Sequence, residues 1–399
     1  MTEWGTGAKP TLLVFSDDWG RHPSSCQHLI GRLLPEYQVW WVNTIGMRCP
    51  RFDRATLDRG LEKIRQWFRP NPDTVHRPTN PGILNPWMWP WFSKPHDRRM
   101  NRELLTWQIM PVIRSSQAPV VAVTTVPLVA DLTDHLPVAR WVYYCVDDFS
   151  QWPGLDQEVI GRMEQKLVRR ANVLFSVSHK LQDRLAGWGR ASHLLTHGVD
   201  LEYWTRGGPR VRLPQLERLK RPLVLFWGII DRRMDVQFVH QLAGDMNRGT
   251  VVLLGPEADP DPLLYRPARV VRLPEVPFDQ LPHMAREAAV LVMPYADLPV
   301  TRAIQPLKLK EYLATGKPVV VRDLPATRPW ADALDLVHSP EEFSEIVRRR
   351  AAEGVPETQV EARGRLRAES WAEKARRFKQ LALVSGLSQP DKEGANDGD

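Results

Sequence analysis

Apolar and polar positions along the chain alternate between two patterns. Short continuous apolar runs, "TLLVFS" (11–16), "YQVWWVN" (37–43), "PVVAVTT" (119–125), "ARWVYYCVD" (139–147) and "NVLFSVS" (172–178), are bounded by polar turns and predict buried strands. Between them lie segments with apolar residues at helical spacing. These are "SSCQHLIGRLLPE" (24–36), a stretch near 98–116, and "DQEVIGRMEQKLVRRA" (156–171), whose stripe is Val159, Met163, Leu167 and Val168. Ser178 is placed to N-cap the helix "HKLQDRLAGWG", which a glycine ends. Strands alternating with helices predict a parallel, doubly wound α/β sheet.

The rhythm breaks at 205–221, "TRGGPRVRLPQLERLKR", where Gly, Pro and charge mark a linker. It then restarts with strands expected at 222–230, 250–255, 269–274, 289–295 and 317–323. Helices are expected at 235–247, 277–288, 306–315, 340–352 and 358–386. The prediction is two Rossmann-like domains, 10–205 and 206–365, facing across a cleft. The segment near 366–386 is expected to return to the first domain, and 387–399, polar and Pro/Gly-rich, to be disordered. Such folds bind ligands at the carboxyl ends of their strands.

Bulk properties agree with this picture. A chain of 399 residues is too long for one ordinary core, and 43% apolar with 25% charged residues is a globular composition. The net charge of +7 suits an anionic small ligand or a membrane surface, and scattered arginines argue against nucleic acid. Three cysteines without paired spacing fit a reducing compartment and no zinc knuckle. The N-terminus lacks a cationic head followed by a long apolar core, and the longest apolar run is too short to span a bilayer, so a cytoplasmic location is expected. Sixteen tryptophans are many, and "NPWMWPWFSKP" (85–95) concentrates three among prolines. That segment reads as a loop packed on the domain surface, or as a platform for a sugar ring or lipid interface.

Candidate chemistry falls at strand ends. In "FWGIIDRRMD", Gly228 lets backbone approach a ligand, and Arg232 and Arg233 precede a helix; two guanidiniums there make a diphosphate clamp, or are simply solvated loop residues. Glu311, in "TRAIQPLKLKEYLATGKPVVV", could accept two ribose hydroxyls, or face solvent between Lys308 and Lys310. Thr301, Arg302 and Ala303 precede its helix, where an anion or sugar hydroxyl would sit. In the first half, Asp147 and Asp148 end a strand and point opposite ways, so one faces the cleft. Gly20, Arg21 and His22 occupy the first strand-to-helix turn, next to Asp17 and Asp18, which without a third ligand are a weak metal signal.

Taken in order, "YYCVDDFSQWPG", "LVRRANVLFSVSHKLQDRL", "HGVDLEYW", "FWGIIDRRMD", "VVLLGP", "LPHMAREAAVLVMPY" and "PLKLKEYLATGKPVVV" resemble the GT-B glycosyltransferases. The nearest group is the retaining, family 4-like one that includes bacterial polysaccharide and teichuronic-acid assembly enzymes. The resemblance covers residues 10 to 386. It implies that Glu311 is the ribose-binding acid, Arg233 the cation on the donor diphosphate with Arg232 a second, and 273–276, with Glu275 and Val276, the segment whose backbone reads the base. It also implies that Gly20 to His22 lie near diphosphate and acceptor, with Asp148 on the same side. Asp147 falls where many relatives carry a histidine touching the transferred sugar. One departure stands out: Ala303 replaces the acid that usually contacts the donor sugar.

What the resemblance implies is transfer of a sugar from a nucleotide-diphosphate sugar to a glycan, lipid-linked or small-molecule acceptor. Retention of configuration, no metal, no cofactor, and peripheral contact with the inner membrane face belong to the same expectation. Alternatives are a non-catalytic sugar- or nucleotide-binding subunit and a nucleotide-sugar epimerase.

Overall fold

The computed structural model describes residues 9–20, 24–43, 80–151, 155–206, 214–303 and 305–384. Arg21 and His22, part of the expected linker and the 387–399 tail lie outside the described residues. Among the described residues, seven strands form the first sheet: β1 (Thr11–Ser16), β2 (Val39–Asn43), β3 (Gly82–Leu84), β4 (Val120–Thr124), β5 (Arg140–Cys145), β6 (Val173–Ser176) and β7 (His193–Leu194). Their spatial order is β3-β2-β1-β4-β5-β6-β7, and every pairing is parallel. Val14 of β1 lies opposite Trp41 on one side and Val123 on the other, so the order reverses at β1/β4. The Val- and Leu-rich runs are buried on both faces because helices cover both sides of a parallel sheet.

The second half adds β8 (Leu223–Trp227), β9 (Ile230–Asp231), β10 (Thr250–Leu254), β11 (Glu257–Ala258), β12 (Val270–Leu273), β13 (Val290–Met293), β14 (Val319–Arg322) and β15 (Asp335–Val337). A six-stranded parallel sheet has the order β12-β10-β8-β13-β14-β15, while β9 and β11 form a separate small ribbon. Leu225 of β8 lies opposite Val252 of β10 and Leu291 of β13, so this sheet reverses at β8/β13. Helices used below are α1 (Ser25–Gly31), α2 (Pro95–Ser115), α3 (Gln157–Arg170), α4 (His179–Ala186), α5 (Leu201–Arg206), α6 (Val236–Asp245), α7 (Leu307–Ala314) and α8 (Trp371–Phe378).

The apolar run 222–230 does not form one strand. Gly228 has φ of 136°, in the region that favours glycine, and the chain re-forms as β9 one residue later. Gly255 allows that turn, since a Cβ there would lie 2.1 Å from the Gly228 carbonyl oxygen.

Two apolar clusters organise the chain. One gathers residues between Leu12 and Leu195 together with Trp371, Ala375, Phe378, Ala382 and Leu383. The other gathers residues between Val199 and Leu366. The two crossings touch: the Val199 amide donates to the Glu369 carbonyl at 2.9 Å, and the Trp371 amide to the Val199 carbonyl at 3.2 Å. This pairing explains why 358–386 is not one helix. It breaks into a helix at Glu357–Ala362, a tight 3₁₀ stretch at Arg363–Glu369, then α8, N-capped by Ser370, which widens into a π turn at Lys379–Val384. Gly198 fits beneath Trp371, whose ring lies 2.7 Å from where a Cβ would stand.

Candidate active site at the second switch point

Where strand order reverses, the loops leaving neighbouring strands diverge and leave a crevice. At β8/β13 those loops are Gly228–Asp235 and Pro294–Leu298. They are stitched together by backbone bonds from Asp235 to Pro294 (2.8 Å) and from Ala296 to Arg233 (2.7 Å). The first loop is anchored where Asp235 caps α6 and pairs with Arg322 at 2.5 Å.

Arg233 is held in this crevice rather than in solvent. Its guanidinium pairs with Asp231 at 2.7 Å and lies 5.7 Å from the centre of the Tyr295 ring. Burial works against its charge, yet the Tyr295 oxygen, Asp231 and Asp147 together raise its pKa, so Arg233 stays protonated. A second cation joins it. The Lys308 ammonium lies 5.4 Å from the same ring centre and donates to the Tyr295 hydroxyl at 2.9 Å. It rests over Phe226 and directly beneath Gly228, where a Cβ would come within 1.9 Å of Nζ. Gly228 therefore serves close approach, here of a cationic side chain.

Glu311 lies one turn along α7 from Lys308 and is buried, not solvent-facing. Burial raises its pKa to about 7, partly offset by Lys308 and by the Trp227 indole N–H. That N–H lies close enough to act on the acid, but has no hydrogen bond among the described residues. The helix is fixed from beneath: the Tyr312 hydroxyl accepts from the Trp227 amide at 2.9 Å, and the two rings meet edge-on at 4.2 Å. Aromatic groups flank the acid. Trp204 stacks on Trp227 at 5.5 Å, Tyr203 stacks on Phe278 at 5.1 Å, and Glu311 helps raise the Tyr203 pKa.

From the first sheet, Asp147 reaches the same crevice. Its pKa is raised to about 7 by burial; Arg233 opposes the rise and Asp148 adds to it. Asp148 points away, into a buried network. It pairs with Arg184 of α4 at 3.2 Å and accepts from Ser150, while Arg184 also holds Glu164 at 2.8 Å. Gly20 is elsewhere in the first half, with φ of 78° and its amide donating to Gln27, whose own amide ties down Asp17 and the Asp18 carbonyl.

Other expected residues are placed apart from the pair. Arg232, in the turn that follows β9, points outward, exposed, to Asp259 (3.3 Å) and Asp261 (3.8 Å). The Thr301 hydroxyl closes its own turn with Ala296 and Leu298, and Arg302 turns to the exposed surface, where it pairs with Asp297. Ala303 ends the short helix Pro299–Ala303. Glu275 is exposed and Val276 half-buried in the segment after β12. Lys308 and Tyr295 were missed as site residues. Sequence offered Lys308 only as a charge beside Glu311, and its placement under Gly228 depends on the loop after β8 meeting the start of α7, 80 positions away.

No family model matches the chain. A stretch of it is 29% identical over 181 residues to TuaH of Bacillus subtilis, described as a teichuronic acid biosynthesis glycosyltransferase; the match covers 43% of this chain and 45% of that protein. The chain thus aligns with less than half the length of this relative. Solved structures match far more of it. Sucrose-phosphate synthase from Thermosynechococcus elongatus superposes with a TM-score of 0.65 at 15% identity, covering 94% of this chain and 98% of that one. The chain has the GT-B fold. The same fold is seen in HepE of Anabaena in complex with UDP (TM-score 0.60, 13% identity, 93% and 98% covered). It recurs in an Escherichia coli trehalose-6-phosphate structure bound with UDP-2-fluoro glucose (0.62, 12%, 94% and 99%). At these identities the likeness establishes the GT-B architecture and its two parallel-sheet α/β domains. Among the described residues of this GT-B chain, no helix is long and apolar enough to cross a membrane.

Proposed function

We propose that the protein is a glycosyltransferase that moves a sugar from a nucleotide-diphosphate sugar, with UDP sugars the first to test, onto a glycan, lipid-linked or small-molecule acceptor. The carrying observation is the arrangement at the β8/β13 reversal. Arg233 and Lys308 flank Tyr295, Glu311 lies one turn further along α7, and Asp147 faces them from the first sheet. A diphosphate fits between two cations, and a ribose reaching Glu311 fits the aromatic wall. The UDP complexes of GT-B neighbours and the TuaH match support this choice of co-substrate.

In this reading the bond from the anomeric carbon to the diphosphate breaks while the acceptor oxygen bonds to that carbon on the same face, retaining configuration. The acceptor proton passes to the departing phosphate oxygen. Arg233 and Lys308 stabilise the growing diphosphate charge, a role that needs neither metal nor cofactor. Asp147 orients the sugar or the acceptor hydroxyl. In this reading 10–205 receives the acceptor and 206–365 the donor, with the C-terminal helix returning to the first, although Val199 and Trp204 already pack into the second core. The enzyme would work in the cytoplasm, in peripheral contact with the inner membrane face.

Release of nucleotide diphosphate from UDP-glucose or a related donor, measured with and without candidate acceptors, tests the reading. Turnover should fall at least about a hundredfold in Arg233→Ala, as when a preorganised charge is removed from a leaving group. Ala303 favours one second reading, a nucleotide-binding subunit without transfer; ligand binding with no turnover of any donor would select it. Isomerised nucleotide sugar formed without acceptor would select an epimerase instead.

A further inference from the structure

Nine large apolar side chains are exposed among the described residues, and five of them, Trp87, Trp89, Trp91, Met100 and Trp107, fall within one short stretch of the first domain. Scattered single exposures such as Leu263 and Val360 are ordinary, but a grouped set marks a contact surface. The grouping is built. Along the 87–92 loop, Met88 and Phe92 turn inward and are buried, while the three tryptophans turn outward. The loop is riveted to α2. Gln108 bonds both the amide and carbonyl of Trp87 (2.7 and 2.9 Å), and Asn101 bonds the Trp89 amide and the Trp89 and Trp91 carbonyls (2.7, 3.0 and 3.0 Å). Asp97 takes the Trp89 indole N–H at 3.0 Å, and the Trp89 and Trp91 rings meet at 4.9 Å. Trp107, next to Gln108 on α2, is 74% exposed.

A sugar-binding platform needs free polar groups beside its rings to read hydroxyls. Here Asn101, Gln108 and Asp97 are committed to the loop's own backbone and indole, which argues against a glycan. The neighbouring charge is positive. Arg99 and Arg114 are exposed on α2, and the exposed Glu103 between them pairs with Arg102 and feels Arg99, so the stripe keeps a net positive charge. The basic ridge of α3 adjoins through Asp131, which Arg98 of α2 (3.5 Å) and Lys166 of α3 (2.8 Å) share. Outward tryptophans with exposed arginines match the boundary between acyl chains and anionic headgroups.

We propose that the Trp87–Trp91 loop and the outer stripe of α2 dock this protein on an anionic lipid bilayer. The surface gives the peripheral contact of the reading above a location, but lipid docking stands apart from glycosyl transfer and is tested without it. Full-length protein is floated with phosphatidylcholine vesicles lacking or containing phosphatidylglycerol, and tryptophan emission is followed with bromine-labelled acyl chains. The expected result is flotation and quenching with anionic vesicles only. Binding should fall at least about tenfold in Trp87→Ser/Trp107→Ser and in Arg99→Glu/Arg114→Glu, the latter at roughly 1 kcal/mol per basic residue. Circular dichroism and the thermal unfolding midpoint should match wild type in both, which shows that they are folded. Wild-type protein that ignores anionic vesicles at low salt would overturn the proposal. So would binding that survives both pairs of substitutions, or quenching abolished by soluble glycan.

Discussion

Glu311 and Asp147 are acids that the fold holds close to neutrality, each raised to about 7 chiefly by burial. A carboxyl with a raised folded pKa keeps its proton where the unfolded chain has lost it. Its contribution to stability is therefore full at low pH and is lost as pH rises from the ordinary carboxyl range through about 7. Glu311→Gln should accordingly unfold at higher temperature than the parent at pH 8 and at nearly the same temperature at pH 4.5, a difference on the order of 1–3 kcal/mol. Scanning calorimetry at the two pH values checks this. The same acid must be ionised to accept two ribose hydroxyls. UDP-glucose, whose diphosphate does not titrate near neutrality, should bind more weakly in Asp147→Asn as pH falls through about 7, and this dependence should vanish when Glu311→Gln is added, the Asp147 substitution removing the other acid that titrates in the crevice beside Arg233. A flat profile for Asp147→Asn would separate Glu311 from the nucleotide.

Among the elements, α7 carries the most. One side presents Lys308 and Glu311 to the crevice, while the Lys310 ammonium is buried at the domain crossing against Glu369, His197 and Thr196. Lys374 shares that carboxylate at 2.7 Å. Glu369→Gln leaves two lysines around a neutral group and should cost on the order of 2–3 kcal/mol, below a fully buried pair because the carboxylate keeps some exposure. Urea unfolding measures it. Gly228→Ala meets two obstacles, a φ of 136° and the Lys308 ammonium, and should cost about 1–3 kcal/mol while weakening nucleotide binding. The α7 sequence was readable because Leu309, Tyr312 and Leu313 keep helical spacing and Val319–Val321 a buried strand. The three-residue β3 was not, since "GIL" between prolines carries no period. Nor was the outward turn of Arg232, which depends on Gly228 ending β8 early and resetting which residues face the crevice.

At the scale of the whole molecule, strand–helix alternation alone predicted two doubly wound sheets, and the GT-B superpositions agree. What sequence could not supply was which loops meet. Arg233 and Lys308 become one site only because β8 and β13 are neighbours, and Asp147 joins them only because the chain crosses between cores twice, at 195–199 and 366–371. The central claim is that this crevice binds a nucleotide-diphosphate sugar through that pair of cations. Titration calorimetry of UDP-glucose and a panel of other nucleotide sugars against the parent, Arg233→Ala and Lys308→Ala tests it most directly. The account predicts saturable binding of at least one nucleotide sugar, weakened roughly tenfold or more by either substitution, about 1.4 kcal/mol each. No binding of any nucleotide sugar at millimolar concentration, or binding indifferent to both substitutions, would contradict it.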